Sequence, residues 1–251
     1  MFIFIVILPK HSLKTRPCMP YARHYWMGAS FASIESMAAS YLHHLQQLGL
    51  QPPYILGGSS FGGAVAFEMA RQLAQSGQSI PLVVLIDTPA YTNLPKLMNP
   101  EEILIYLMQH GLGNLQISIA ELEAQKTLEQ KIELIANRAK DSELKELLST
   151  EFLPLFLHTW QAHGQLLHQY QPEPYPGRVL FFAHTEIIDD FPSDQETHWQ
   201  KLIHGSFKSI LVPGTHITMN AAPHVQVIAD ALVFELKQRY YSRELLVEVE
   251  A

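Results

Sequence analysis

Ser60 stands in the run Gly58-Ser59-Ser60-Phe61-Gly62, between a short apolar segment and a helical pattern. A serine hydroxyl is a weak nucleophile, and it reacts well only when held exposed on a sharp turn from strand to helix. Glycine on either side lets the backbone turn without a Cβ clash. Tyr54-Ile55-Leu56 reads as the strand before the turn. Ala64 to Gln75 reads as the helix after it, with Val65, Ala66, Met69, Ala70 and Leu73 at three- and four-residue spacing. A bare G-x-S-x-G also occurs in plain glycine-rich turns. The strand before and the helix after favour a nucleophile elbow.

An elbow of this kind needs an acid and a histidine later in the chain. Leu82-Val83-Val84-Leu85-Ile86 is a continuous branched apolar run, as in a buried parallel strand, and Asp87 ends it. The carboxyl end of a strand is where α/β sheets present ligand-facing side chains. On the residues alone, Asp87 is either an acid for this site or a cap of the turn through Thr88-Pro89. Ile210-Leu211-Val212 is another strand, followed by the turn Pro213-Gly214-Thr215-His216. The chain has 13 histidines, most of which must be structural. His216 stands out because it follows a strand and a Pro-Gly turn and precedes a helix.

The stretch Gly57 to Ala70 resembles the type I thioesterase domains that end nonribosomal peptide synthetases and polyketide synthases. Ser59 departs mildly, since the family usually has tryptophan there. Further matching segments are Leu85-Ile86-Asp87-Thr88-Pro89, 27 residues after Ser60; Tyr175-Pro176-Gly177-Arg178-Val179; Val212 to Met219; and Pro223-His224-Val225-Gln226-Val227. The likeness runs from about Ala32 to Leu236.

The resemblance implies an α/β-hydrolase fold: a mostly parallel central sheet with a helical lid insertion. It implies a single domain over 1–251, with its core at about 1–90 and 175–240 and the insertion at about 91–174. It also implies the catalytic set Ser60, Asp87 and His216. In that set Ser60 attacks the acyl carbon, His216 takes its proton, and Asp87 orients the imidazole. Many α/β hydrolases carry the acid one strand later, which here would be Glu186, Asp189 or Asp190. The family resembles the earlier arrangement, so Asp87 is the expected acid and Glu186 to Asp190 a solvated loop. The implied activity is release of an acyl, polyketide or peptidyl chain from a carrier-protein phosphopantetheine thioester, by hydrolysis or cyclisation. The partner is then an acyl or peptidyl carrier protein. The pantetheine arm arrives with the substrate, so no cofactor of the domain's own is expected.

The front of the chain departs from the family. A His-Pro-Gly-Gly-like loop would supply one oxyanion-hole N–H, the other coming from the residue after the nucleophile, here the backbone N–H of Phe61. No glycine precedes Gly28, so the loop is not recognisable and the chain reads as truncated or altered there. Loss of one donor typically costs about 2.7–4 kcal/mol of transition-state stabilisation. A backbone N–H near Pro9 to Ser12 is one candidate substitute, and the sequence does not single it out. Two further readings stand beside the first: a carrier-binding module with little turnover, and a general esterase.

Between Asp87 and Arg178 the strand–helix alternation stops. Asn99-Pro100-Glu101-Glu102 predicts a helix start, with proline at the first position. Ser118-Ile119-Ala120-Glu121 predicts a capping box and one helix through Leu122, Leu128, Ile132 and Ile135. Glu151 to Tyr170 predicts a third helix, bent or broken at its start by Pro154. Phe152, Phe156, Trp160 and Leu167 line either an acyl channel or the insertion's own core. Ser33 to Leu48 predicts an amphipathic helix capped by Ser33 and ended by Gly49, with Ala38, Tyr41, Leu42, Leu45 and Leu48 on one face.

Composition agrees. A chain of 251 residues with 47% hydrophobic and 16% charged residues can bury a central sheet. A net charge of −7 argues against nucleic-acid binding, which needs clustered basic residues. The lone Cys18 leaves no disulfide framework and fits a reducing, cytoplasmic setting. Phe2 to Leu8 is too short to span a bilayer and reads as a strand. There is no phosphate-binding loop of the G-x-x-x-x-G-K-[ST] kind and no paired CxxC, so nucleotide and zinc roles have no support.

Overall fold

The central strands of this protein are apolar on both faces, and each face is covered by helices. In the computed structural model, the described residues are 3–7, 31–50, 53–78, 80–90, 94, 96–110, 115–142, 144–186 and 194–237. Five strands form one sheet in the order β1 (Ile3–Ile7), β2 (Tyr54–Ser59), β3 (Leu82–Ile86), β4 (Arg178–His184) and β5 (Ser206–Val212). Strands β2 to β5 are mutually parallel, and β1 pairs antiparallel with β2.

Alternation along the central strands divides the core in two. Tyr54, Leu56, Val83, Leu85, Val179 and Phe181 point to one face. They meet helices α1 (Ile34–Gln47), α2 (Phe61–Gln75) and α7 (Gln195–Leu202), whose Trp199 is fully buried there. Ile55, Leu82, Val84, Ile86, Leu180 and Phe182 point to the other face, against Ile228 of α8 (Val225–Leu236). This is why these strands read as unbroken apolar runs: neither face meets water.

Between β3 and β4, four helices lie among the described residues: α3 (Pro100–His110), α4 (Ile119–Glu123), α5 (Leu128–Ala139) and α6 (Phe152–Gln169). They bury a cluster of their own, with Ile103, Leu104, Leu122, Ile135 and Leu153 at its centre. Together the sheet, its flanking helices and this insertion form an α/β-hydrolase fold.

The local signals act as their chemistry dictates, with exceptions. Ser33 caps α1 by accepting from the Ser36 amide, and Gly49 ends that helix at φ +69°. Leu48 is not on the buried face; it is the C-cap and stays exposed. Asn99 Oδ1 accepts from the amides of Glu101 and Glu102 at the start of α3. The capping box at Ser118 and Glu121 forms, but the single helix expected from it is two. Thr127 caps a new start by accepting from the Gln130 amide, so the chain turns between α4 and α5. Pro154 neither breaks nor bends α6: it sits in the first turn, where no intrahelical hydrogen bond is lost. No helix among the described residues is long and apolar enough to cross a membrane.

Candidate active site

The parallel register brings the carboxyl ends of four strands side by side. Ser59 of β2 lies opposite Ile86 of β3, and the Ser60 amide donates to the Ile86 carbonyl at 2.9 Å. One strand further, the Asp87 amide donates to the Phe182 carbonyl of β4 at 2.8 Å. Beyond that, the Thr185 amide donates to the Val212 carbonyl of β5 at 3.1 Å. Ser60, Asp87, His184 and the loop holding His216 therefore emerge from one edge of the sheet.

Ser60 occupies φ 55°, ψ −129°, a conformation that an L side chain reaches only under strain. The neighbouring packing enforces it. A Cβ at Gly58 would fall on the backbone of Gly62, so the elbow closes this tightly only with glycine there. Phe61 is the first residue of α2, and its N–H lies in the helix's first turn, whose amides the i→i−4 ladder does not use.

His216 Nε2 lies 3.1 Å from Ser60 Oγ, and His216 Nδ1 lies 2.6 Å from Asp87 Oδ2. A carboxylate only accepts hydrogen bonds. The proton between these two groups therefore belongs to Nδ1 of His216, and in the neutral ring Nε2 is left to accept from the Ser60 hydroxyl. This tautomer is the one a general base for Ser60 requires.

Asp87 is held at φ +44° and is almost wholly buried. Burial opposes its ionisation, but hydrogen bonds from His184 and His216 outweigh it and lower the carboxyl to about 2. Two contacts from α7 fix the backbone just beyond it. Trp199 Nε1 donates to the Thr88 carbonyl at 2.8 Å, and Gln195 Oε1 accepts from the Ala90 amide.

The second histidine on Asp87 is one that the sequence motifs do not mark. His184 Nδ1 lies 2.7 Å from the same Oδ2, and this contact raises its titration above 6.5 against the opposing effect of burial. Its one sequence signal is its place at the carboxyl end of a core strand, beside the strand that ends in Asp87. Glu186, the described alternative acid, is exposed two residues further on. Asp189, Asp190, Cys18 and the segment Pro9 to Ser12 lie outside the described residues.

β1 bears on the second oxyanion donor. It runs antiparallel to β2, with Ile3 beside Gly58 and Ile7 beside Tyr54. The chain thus leaves β1 at the end of β2 remote from the elbow, roughly 16 Å along the strand.

Helix α6 covers the elbow. The His163 ring stacks on Phe61 with centroids 4.1 Å apart and 12° between planes. Burial pushes the His163 imidazole down to about 4, so it is uncharged near neutrality. Of the aromatic and aliphatic residues expected at a channel or a core, Phe156 and Trp160 pack on the insertion's cluster and Leu167 on the main core. Phe152 is half-buried and borders a shallow surface cavity.

The fold is that of the α/β hydrolases, and its candidate site is the hydrogen-bonded line of Ser60, His216 and Asp87. The family model of the thioesterase domain matches residues 17–232, and the chain belongs to that family. It is 30% identical over 210 residues to a dimodular nonribosomal peptide synthase of Bacillus subtilis, covering 82% of this chain and 8% of the synthase. It is likewise 30% identical over 230 residues to an orsellinic acid synthase of Armillaria mellea, covering 84% and 9%. The chain thus spans less than a tenth of each of these relatives. Among solved structures, a four-domain nonribosomal peptide synthetase bound to AMP and glycine superposes with a TM-score of 0.66 at 28% identity, over 85% of this chain and 16% of that one. The NocB thioesterase domain, in covalent complex with a fluorophosphonate nocardicin G analogue, shares the fold at TM-score 0.55 and 23% identity, over 83% and 77%.

Proposed function

We propose that this domain releases an acyl, polyketide or peptidyl chain from the phosphopantetheine thioester of a carrier protein, through an ester on Ser60. The observation that carries the proposal is the continuous hydrogen-bonded line Ser60–His216–Asp87 on a strained elbow. Ser60 Oγ attacks the thioester carbonyl as its proton passes to His216 Nε2. The resulting imidazolium is stabilised by Asp87, which stays ionised. The oxyanion is met by the Phe61 N–H at the amino end of α2. Collapse breaks the C–S bond, and the pantetheine sulfur leaves with the proton from His216. Water, or a nucleophile within the acyl chain, then attacks the ester with His216 again as base, giving an acid or a ring.

Helices α3 to α6 serve as the lid in this proposal. Its support is that α6 lies directly on the elbow through the His163–Phe61 stack. Membership of the family supports thioester chemistry, and the named synthases among the relatives support a carrier-bound substrate. No cofactor is needed: base, nucleophile and acid all come from the chain. A cytoplasmic setting is part of the proposal, supported by the lone Cys18, which leaves no disulfide framework.

The test is fluorophosphonate labelling read by intact mass, with Ser60→Ala alongside. One adduct on the wild type and none on the variant is expected, followed by turnover of acyl-pantetheine thioesters in preference to simple esters. A folded wild type that takes no adduct would overturn the acyl-enzyme route and leave carrier binding as the function to measure.

A further inference from the structure

We propose that His184 is a positioning residue for this site: it holds the Asp87 carboxylate, by donating from Nδ1 to Oδ2, in the orientation that serves His216. The inference rests on the acyl-Ser60 reading for its consequence in catalysis, but its geometry stands apart from that reading.

Both imidazoles approach one carboxylate oxygen, His184 at 2.7 Å and His216 at 2.6 Å. Since the carboxylate only accepts, both Nδ1 atoms carry protons. His184 is the last residue of β4, and its backbone register with Val212 of β5 is fixed by the sheet. Asp87 has no such anchor for its side chain. It stands one residue past β3 at a positive φ, where its carboxylate is turned by whatever donates to it. A donor mounted on the neighbouring strand supplies the missing constraint. The hydrogen bond also draws charge from Oδ2, so the strength of Asp87 as a partner for His216 depends on His184. Among the described groups facing His184, Asp87 comes from β3 and His216 from the loop after β5, while Glu186 on its own strand exit is exposed. When His184 gains a second proton, its cation competes with the imidazolium of His216 for one carboxylate.

Two variants separate positioning from bulk. His184→Leu fills the space and removes the donor. His184→Asn places an amide N–H near the position of Nδ1 and cannot titrate. The fluorophosphonate labelling rate and the kcat and KM for an acyl-pantetheine thioester are measured from pH 5 to 9. His184→Leu is expected to lower labelling rate and kcat about 10- to 100-fold with little change in KM, as for a small misplacement of a reacting group. His184→Asn is expected to recover most of that loss at high pH, and to lose rate less steeply than the wild type as pH falls. His184→Leu labelled at the wild-type rate with the wild-type profile would overturn the proposal, as would a folded His184→Asn as slow as His184→Leu. If the wild type itself neither labels nor turns over, the acyl-Ser60 reading fails and nuclear magnetic resonance of the histidine side chains decides alone. The His216 Nδ1–H resonance should move in His184→Leu and stay in His184→Asn; an unmoved resonance in both overturns the positioning role.

Discussion

The Tyr170 hydroxyl, just past the end of α6, donates to Glu68 Oε2 in the middle of α2 at 2.9 Å. Glu68 has no exposed surface, yet it carries a charge-bearing side chain into the main core. It also accepts from Arg71 Nε at 2.8 Å, Arg71 Nη2 at 3.0 Å and Gln72 Nε2 at 2.8 Å. These bonds join the insertion's last helix to the helix that follows Ser60.

Glu68→Ala should therefore destabilise the fold strongly, since it strands Arg71 and the Tyr170 hydroxyl without their acceptor. Removing one partner from a buried charged network costs about 3–5 kcal/mol. Arg71 keeps its second partner, the exposed Glu173, so the lower end is expected. Urea unfolding at neutral pH checks this; a loss under about 1 kcal/mol, well short of that range, would mean that the network is not holding the helices.

Ser60 should trade stability for reactivity. Its backbone conformation costs on the order of 1–3 kcal/mol for a residue with a Cβ, and glycine adopts it freely. Ser60→Gly is expected to abolish labelling while raising thermal stability, net of the entropy glycine adds to the unfolded chain. A Ser60→Gly variant that melts below the wild type would show that the elbow is unstrained.

Gly58→Ala should act in the opposite sense. Its methyl would meet the Gly62 backbone, which cannot move without opening the elbow. Overpacking of this kind costs about 1–3 kcal/mol. The adduct rate should fall with stability, because the shift is passed to Ser60 directly. Labelling kinetics beside thermal melts give both numbers.

Asp87 and His163 set two windows in which the fold weakens as pH falls. His184, raised on folding by Asp87, contributes in the opposite sense: its share is present below 6.5 and lost as pH rises through its folded value. Asp87 falls from 3.8 to about 2 on folding, so its contribution is present above about 4 and lost as pH drops toward 2. His163 falls from 6.5 to about 4, so the unfolded chain binds its proton first and stability declines as pH drops from 6.5 toward 4. His163→Phe keeps a ring to stack on Phe61 and should flatten the upper window alone. Urea titrations at pH 7, 5 and 3 on both chains measure the difference; parallel slopes would place the loss elsewhere.

Much of the fold is legible in the sequence because its signals are local. Strand β3 is an apolar run of five residues, α1 has a serine cap, and α2 follows the elbow at helical spacing. The elbow, too, is written in neighbouring residues, since the turn at Ser60 and the glycine beneath it lie within five positions. The two-helix division at Thr127 is hidden because its cap competes with an uninterrupted apolar spacing through Leu128, Ile132 and Ile135. Pro154 misleads because its effect depends on where the helix begins, and a shift of one turn changes it from breaker to neutral.

By itself, then, the sequence determined the class of sheet, the elbow at Ser60 and the strand-end places of Asp87 and His216 after it, because each depends on short-range periodicity and turn chemistry. Only the tertiary structure decided what meets what. The side-by-side placement of β3, β4 and β5 puts His184 and His216 on one oxygen of Asp87 from positions 97 and 129 residues away. The antiparallel direction of β1 puts Ile3 beside Gly58 at the elbow end of β2 and Ile7 beside Tyr54 at its far end. Neither can be read along the chain, because strand order and direction are settled by which apolar faces pack together, and that choice involves the whole core at once.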